Sequence, residues 1–155
     1  KRSPDDLKPF QPECKSNALQ QCPREQVVNG YDNTIVTTDR LLARSIAWLQ
    51  GQSSRFDPGL FYVSDHGESL GENNLYLHGL PYAVAPQTQT RVPLITWLSS
   101  DFERWRGTRM SCLQRERGRA LSHDHLFHSV LGLMGVGTGV YRRDLDLYAD
   151  CEAAR

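Results

Sequence analysis

The sequence predicts an α/β fold, a layered sheet with flanking helices. Three observations carry that expectation. Residues 23–50 repeat apolar side chains at helical spacing, residues 60–64 and 92–98 are two short β-rich apolar runs, and residues 122–134 return to helical spacing. At 155 residues the chain is one domain or part of one.

Each element has its own local reason. Residues 1–23 are rich in Pro, Lys and Gln and read as a surface loop. Val28, Tyr31, Ile35, Leu42, Ile46 and Leu49 then recur at three, four and seven, the stripe of an amphipathic helix. Pro23 suits the first turn, where its missing N–H costs nothing. Glu25 complements the positive end of the helix dipole, and Gly51 with Ser53-Ser54 ends the helix. Tyr31-Asp32-Asn33-Thr34 is expected to pack this helix against the sheet. Asp57-Pro58-Gly59 punctuates, and 60–64 reads as a buried strand. Residues 65–90 show no periodicity and predict a long loop with at most a short helix; loops of that length in compact domains usually serve function. Pro93 near the start of the second strand argues for an edge or strand-entry position. Residues 99–121 are polar and Arg-rich, with Trp105 and Cys112 as expected anchors. Ser122 reads as the N-cap of the last helix, with Leu126, Phe127, Val130 and Leu131 facing inward and Gly135-Val136-Gly137 stopping it.

The chemistry gathers where the first strand ends. Leu60-Phe61-Tyr62-Val63 stops at Asp65-His66, Gly67 follows at once, and His78 comes twelve residues after His66. In open α/β sheets ligands collect beyond the carboxyl ends of strands. Neighbours on a strand point to opposite faces, so Asp65 and His66 reach one ion only if the chain bends, as Gly67 permits. A carboxylate with an imidazole suits a borderline divalent cation, Zn²⁺ above all. Two ligands leave such an ion undercoordinated. His78 is a candidate third ligand or a contact for a substrate anion, and Glu68 and Glu72 are nearby acids. On the residues alone, the alternative is a turn in which Asp65 accepts from backbone amides. His123, His125 and His128 form another cluster, but 123 and 128 align poorly on one helix. Ser122 and Asp124 favour a structural role, at least for His123 and His125, as part of a capped first turn.

The totals set outer bounds. Net charge is zero, which marks no nucleic-acid partner and no preference for acidic surfaces. No apolar run approaches the ~18–20 residues of a membrane-spanning helix, and no signal peptide is recognisable. The opening Lys1-Arg2-Ser3-Pro4 does not resemble a natural start, so the chain is expected to be a piece of a longer protein. Cys14, Cys22, Cys112 and Cys151 form no C-x-x-C pair. Cys14 and Cys22 bracket a short polar loop, which favours a disulfide between them; Cys112–Cys151 is the weaker expectation. Disulfides would place the chain in a periplasm or outside the cell. Four reduced thiols in a cytosolic enzyme stay open.

The stretch Val63-Ser64-Asp65-His66-Gly67-Glu68-Ser69-Leu70-Gly71-Glu72-Asn73, continued by Tyr76-Leu77-His78-Gly79-Leu80-Pro81-Tyr82, resembles the bacterial phosphoethanolamine transferases that modify lipid A, the mobile colistin-resistance enzymes among them. Tyr31-Asp32-Asn33-Thr34, the 92–99 run and Ser122-His123-Asp124-His125-Leu126-Phe127-His128 match further parts of that family, so the resemblance covers nearly the whole chain. It implies an alkaline-phosphatase/sulfatase-like layered sheet of which residues 1–155 are the C-terminal portion. It further implies a periplasmic zinc domain at the inner membrane, anchored by a separate N-terminal helical region. The implied reaction takes phosphoethanolamine from phosphatidylethanolamine onto a threonine and passes it to a lipid A phosphate. Asp65 and His66 match the family's zinc ligands. His78 matches a histidine that contacts phosphoethanolamine or a second zinc, Glu68 falls at a substrate-side carboxylate, and Cys14/Cys22 match a family disulfide. The threonine nucleophile, a zinc-binding glutamate and another histidine match no position here, so residues 1–155 alone are expected not to catalyse transfer. The alternatives are a sulfatase- or phosphatase-type hydrolase of the same superfamily and an inactive metal-binding fragment. Core sugar or periplasmic glucan could replace lipid A as acceptor.

Overall fold

The computed structural model of the chain describes residues 3–152, so the opening Lys1-Arg2 lies outside it. The elements run α1 (Arg24–Gln50), β1 (Gly59–Val63), β2 (Ser69–Leu70), β3 (Tyr76–Leu77), α2 (Gln87–Thr90), β4 (Leu94–Leu98), α3 (Ser100–Arg106), α4 (Met110–Glu116) and α5 (Asp124–Met134). β1 pairs with β4. At one end the Ser99 amide donates to the Pro58 carbonyl, and at the other the Ser64 amide donates to that of Pro93, so the two strands run antiparallel. The chain divides into two compact units, residues 1–48 with 61–96 and residues 49–60 with 97–155.

In the first unit α1 follows the periodicity, but its anchoring differs from expectation. Its fully buried residues are Val27 and Asn33, while Ile35 stays exposed. Asn33, 0% exposed, binds the N-terminal segment instead of the sheet. Its side chain accepts from the Phe10 amide (3.1 Å) and donates to the Phe10 carbonyl (2.8 Å) and to Glu13 (2.8 Å), while its carbonyl accepts from the Ser3 hydroxyl. One buried amide thereby uses both N–H donors and its oxygen, and pins residues 3–13 along the helix. Lys8 and Asn33 hold the Glu13 carboxyl below the usual range, Lys8 contributing more. A disulfide joins Cys14 to Cys22.

Residues 65–90, expected as loop, contain a small hairpin. β2 and β3 pair antiparallel with Ser69 opposite Leu77 and Leu70 opposite Tyr76. The turn between them uses left-handed backbone at Gly71, Asn73 and Asn74, residue types that tolerate it. Glu72 is spent on that turn. It accepts from the Leu70 amide at 2.6 Å and pairs with Arg24 at 2.9 Å, and those bonds, Leu70's first, lower its pKa.

In the second unit the core is Leu98, Phe102, Leu133 and Tyr148, with Met110, Leu113 and Leu147 packed against it. The Arg-rich stretch forms α3 and α4. Ser99 caps α3 by accepting from the Phe102 amide, and Gly107 (φ +72°) closes it. Cys112 is buried and joined to Cys151, whereas Trp105 is more than half exposed and touches the core only edge-on, against Phe102. α5 starts one residue later than expected, with His123 at the cap position. It presents Ser129, Gly132 and Leu133 inward, and Phe127 and Val130 stay exposed. β1 is half-buried, where its uninterrupted apolar run had predicted full burial.

Candidate metal centre

Hairpin register builds the site. Ser69 faces Leu77, so the residues just outside the hairpin, Glu68 and His78, come opposite each other. Glu68 Oε1 lies 3.1 Å from His78 Nδ1. His66, two residues before Glu68, brings its ring to 3.6 Å from that of His78, centroid to centroid, with the planes 33° apart. Among the described residues, one ligand atom each of His66, Glu68 and His78 fall within 4.8 Å of one another. Leu77, directly before His78, takes left-handed backbone (φ +63°), a conformation that is costly for a branched side chain and recurs at functional sites.

Asp65 stands at the open side of this group. Its side chain is 87% exposed, and its Oδ2 lies 3.7 Å from His66 Nε2. Ligand atoms on a tetrahedral ion with bonds of ~2.0–2.1 Å stand about 3.4 Å apart, so this pair could share an ion with little movement. The other ring nitrogen agrees. His66 Nδ1 is 3.0 Å from the Gly67 carbonyl, which can only accept, so Nδ1 carries a proton and Nε2 is the nitrogen that faces the carboxylate. The His66 amide, above all, holds the Asp65 carboxyl below its ordinary pKa and therefore ionised. Among the described residues, one Glu68 oxygen, Oε2, is buried and has no hydrogen-bond partner. A buried carboxylate oxygen left unpaired is what a bound cation or donor would satisfy. The donor set of two imidazoles and two carboxylates fits a divalent ion such as zinc.

The backbone behind these side chains is fixed by close approach. The Gly67 amide donates to the Gln89 carbonyl at 2.9 Å, and a Cβ on Gly67 would collide with the Thr88 carbonyl. Gly67 thus serves the bend and also lets a neighbouring backbone pack against it. Sequence reasoning gave Asp65, His66, Glu68 and His78. It gave no role to Ser69, Thr88 or Gln89, which lie beside them. The hairpin that sets the register had a signal in the sequence, Gly71-Glu72-Asn73-Asn74 between Leu70 and Leu75, of the kind that marks a short hairpin loop.

The histidines of α5 are differently engaged. His125 Nδ1 lies 3.2 Å from both the amide and the carbonyl of Ser122. His128 Nδ1 accepts from the Arg142 amide at 3.1 Å.

A family model described as Sulfatase matches residues 1–136. The chain belongs to the sulfatase family. Within the sulfatase family it is 44% identical over 151 residues to phosphoethanolamine transferase EptA of Escherichia coli K12, covering 97% of this chain and 28% of that protein. It is 47% identical over 97 residues to phosphatidylethanolamine transferase Mcr-1 of Escherichia coli, covering 63% of this chain and 18% of that one. The soluble domain of lipooligosaccharide phosphoethanolamine transferase A from Neisseria meningitidis superposes with a TM-score of 0.92 at 38% identity, covering 98% of this chain and 46% of that one. The sulfatase-like fold is therefore that of phosphoethanolamine transferase soluble domains. The chain spans little more than a quarter of the length of the Escherichia coli EptA it matches. No described helix is long and apolar enough to cross a membrane.

Proposed function

We propose that the chain is the C-terminal portion of the periplasmic catalytic domain of a zinc-dependent phosphoethanolamine transferase. The enzyme would take phosphoethanolamine from phosphatidylethanolamine and deliver it to a lipid A phosphate through a threonine ester whose threonine lies in another segment. It would work at the periplasmic face of the inner membrane, held there by membrane helices outside residues 1–155. The observation that carries this is the convergence of His66, Glu68 and His78, with Asp65 beside His66, in a chain so similar to transferases of that name. Two disulfides suit an oxidising compartment. The exposed Ile35, Leu41 and Trp48 on α1 suit a helix that packs against further chain.

Asp65 and His66 would hold the zinc ion. Bound there, it would neutralise phosphate oxygens and lower the pKa of a coordinated hydroxyl. The chain's own residues do the rest. The Gly67 carbonyl fixes the His66 tautomer. Glu68 orients His78 through Nδ1, leaving Nε2 to hold a phosphate oxygen or to give a proton to the leaving oxygen. Glu68 Oε2, unpaired among protein groups, would accept from the ethanolammonium of the transferred group.

In the intact enzyme, Asp65→Ala and His66→Ala should abolish both zinc retention, read by metal analysis, and transfer to lipid A, read by mass spectrometry. Wild-type zinc content in both variants would sink the ligand assignment. A second arrangement, with His66, Glu68 and His78 together as ligands, is favoured by their mutual distances. Glu68→Gln separates the two: zinc is kept and transfer lost if Glu68 faces substrate, and both are lost if it is a ligand.

A further inference from the structure

The geometry points to Gln89, with Ser69 and Thr88, as the positioning residues of the Glu68–His78 pair. This rests on the arrangement above in which His66, Glu68 and His78 together are the ligands, and deepens it. Gln89 grips the chain on both sides of Glu68. Its carbonyl accepts from the Gly67 amide at 2.9 Å, and its side-chain amide donates to Ser69 Oγ at 2.9 Å. Ser69 is 0% exposed and Gln89 is 6% exposed. Thr88 adds a third bond, its hydroxyl lying 3.2 Å from Ser69 Oγ. The bonds on either side of Glu68 leave residues 67–69 little freedom to turn. The Glu68 carboxylate is thereby aimed at His78, while β3, paired to Ser69 and Leu70, fixes His78 itself. A polar cluster this deep is costly unless every member is paired, and here the pairing is directed at the two residues that flank one functional carboxylate. Partners outside the ligand set hold ligand rotamers in place, and their loss typically weakens metal affinity by about 10–100-fold.

The test titrates Co²⁺ into the metal-stripped intact enzyme, unaltered and carrying Gln89→Met, Ser69→Ala, both together, or Thr88→Val. It is run at a temperature where circular dichroism shows each variant folded. Gln89→Met, close in volume but without the amide donor, should weaken Co²⁺ by about tenfold or more and alter its visible absorption band. The double variant should be weaker than Gln89→Met alone by no more than Thr88→Val costs, because Ser69→Ala removes the same Gln89 bond and, besides it, only the bond to Thr88. Thr88→Val, at an exposed position, should give a smaller loss in the same direction. A lowered thermal midpoint with an unchanged Co²⁺ dissociation constant would make the cluster a stability feature and overturn the proposal. If Gln89→Met does not fold, Thr88→Val decides on the same criterion. Equal Co²⁺ binding by the unaltered protein and every folded variant overturns this inference alone. No binding by the unaltered protein overturns the metal reading, and this inference with it.

Discussion

Two sets of histidines in this chain differ in what their ring nitrogens touch. In the 65–78 segment His66 and His78 spend one nitrogen each on orientation, against the Gly67 carbonyl and the Glu68 carboxylate. The Nε2 atom of His66 is left facing an ionised, exposed carboxylate. On α5, His128 Nδ1 accepts from the Arg142 amide, and His125 Nδ1 sits against the backbone of Ser122. Those rings close local backbone and are structural. Two carboxylates differ in the same way. Among the described residues Glu68 Oε2 has no hydrogen-bond partner, whereas Asp146, 1% exposed, accepts from Tyr141 at 2.7 Å and from the Tyr148 amide at 2.9 Å.

The sharpest way to break this contrast is metal retention. His66→Ala should lower zinc affinity by about a hundredfold or more, and His125→Ala should leave it unchanged, measured by competition with a chromophoric chelator. Equal losses would erase the distinction. Next in size is Gly132→Ala. A Cβ there would collide with the Asp146 carboxylate, so stability should fall by about 3 kcal/mol in urea unfolding. Tyr141→Phe removes the hydrogen bond to Asp146 and should cost about 1–2 kcal/mol at neutral pH. It also carries a pH signature. Burial first, and Asp146 second, push the Tyr141 hydroxyl from 10.0 to about 12. The folded value lies above the unfolded one, so the contribution is fully present below pH 10.0 and is lost as pH rises through about 12. The Tyr141→Phe protein should lack that part of the alkaline stability loss. Smallest is His125→Ala, expected to cost no more than about 0.5–1 kcal/mol, because its bonds are local and exposed.

The residues of the candidate site were easier to pick out in the sequence than the packing around them. Asp65, His66, Glu68 and His78 stand out because an acid, imidazoles and a glycine follow a strand end, and because the run through Tyr82 resembles a known family. The span of α1 was equally readable from its periodicity. Its buried contact was not, since Asn33 looks like one polar residue among several in sequence and is buried only because residues 3–13 fold back onto it. Phe127 and Val130 fit an inward stripe on α5, but the helix turns Ser129 and Gly132 inward because the Leu147 amide and the Asp146 carboxylate need close approach there.

The sequence by itself determined the elements with strong local codes. These are the 27-residue helix α1, the strand before Asp65, the glycine bend and the residue types a metal would need. What only the tertiary structure decided is which of those residues meet. A two-residue ladder sets Glu68 against His78, and the underside of Gly67 and Ser69 is held by Gln89, twenty residues beyond Ser69. Periodicity records a residue's own helix or strand, whereas hairpin register and the pairing of buried polar groups depend on partners distant in the chain, which no local pattern encodes.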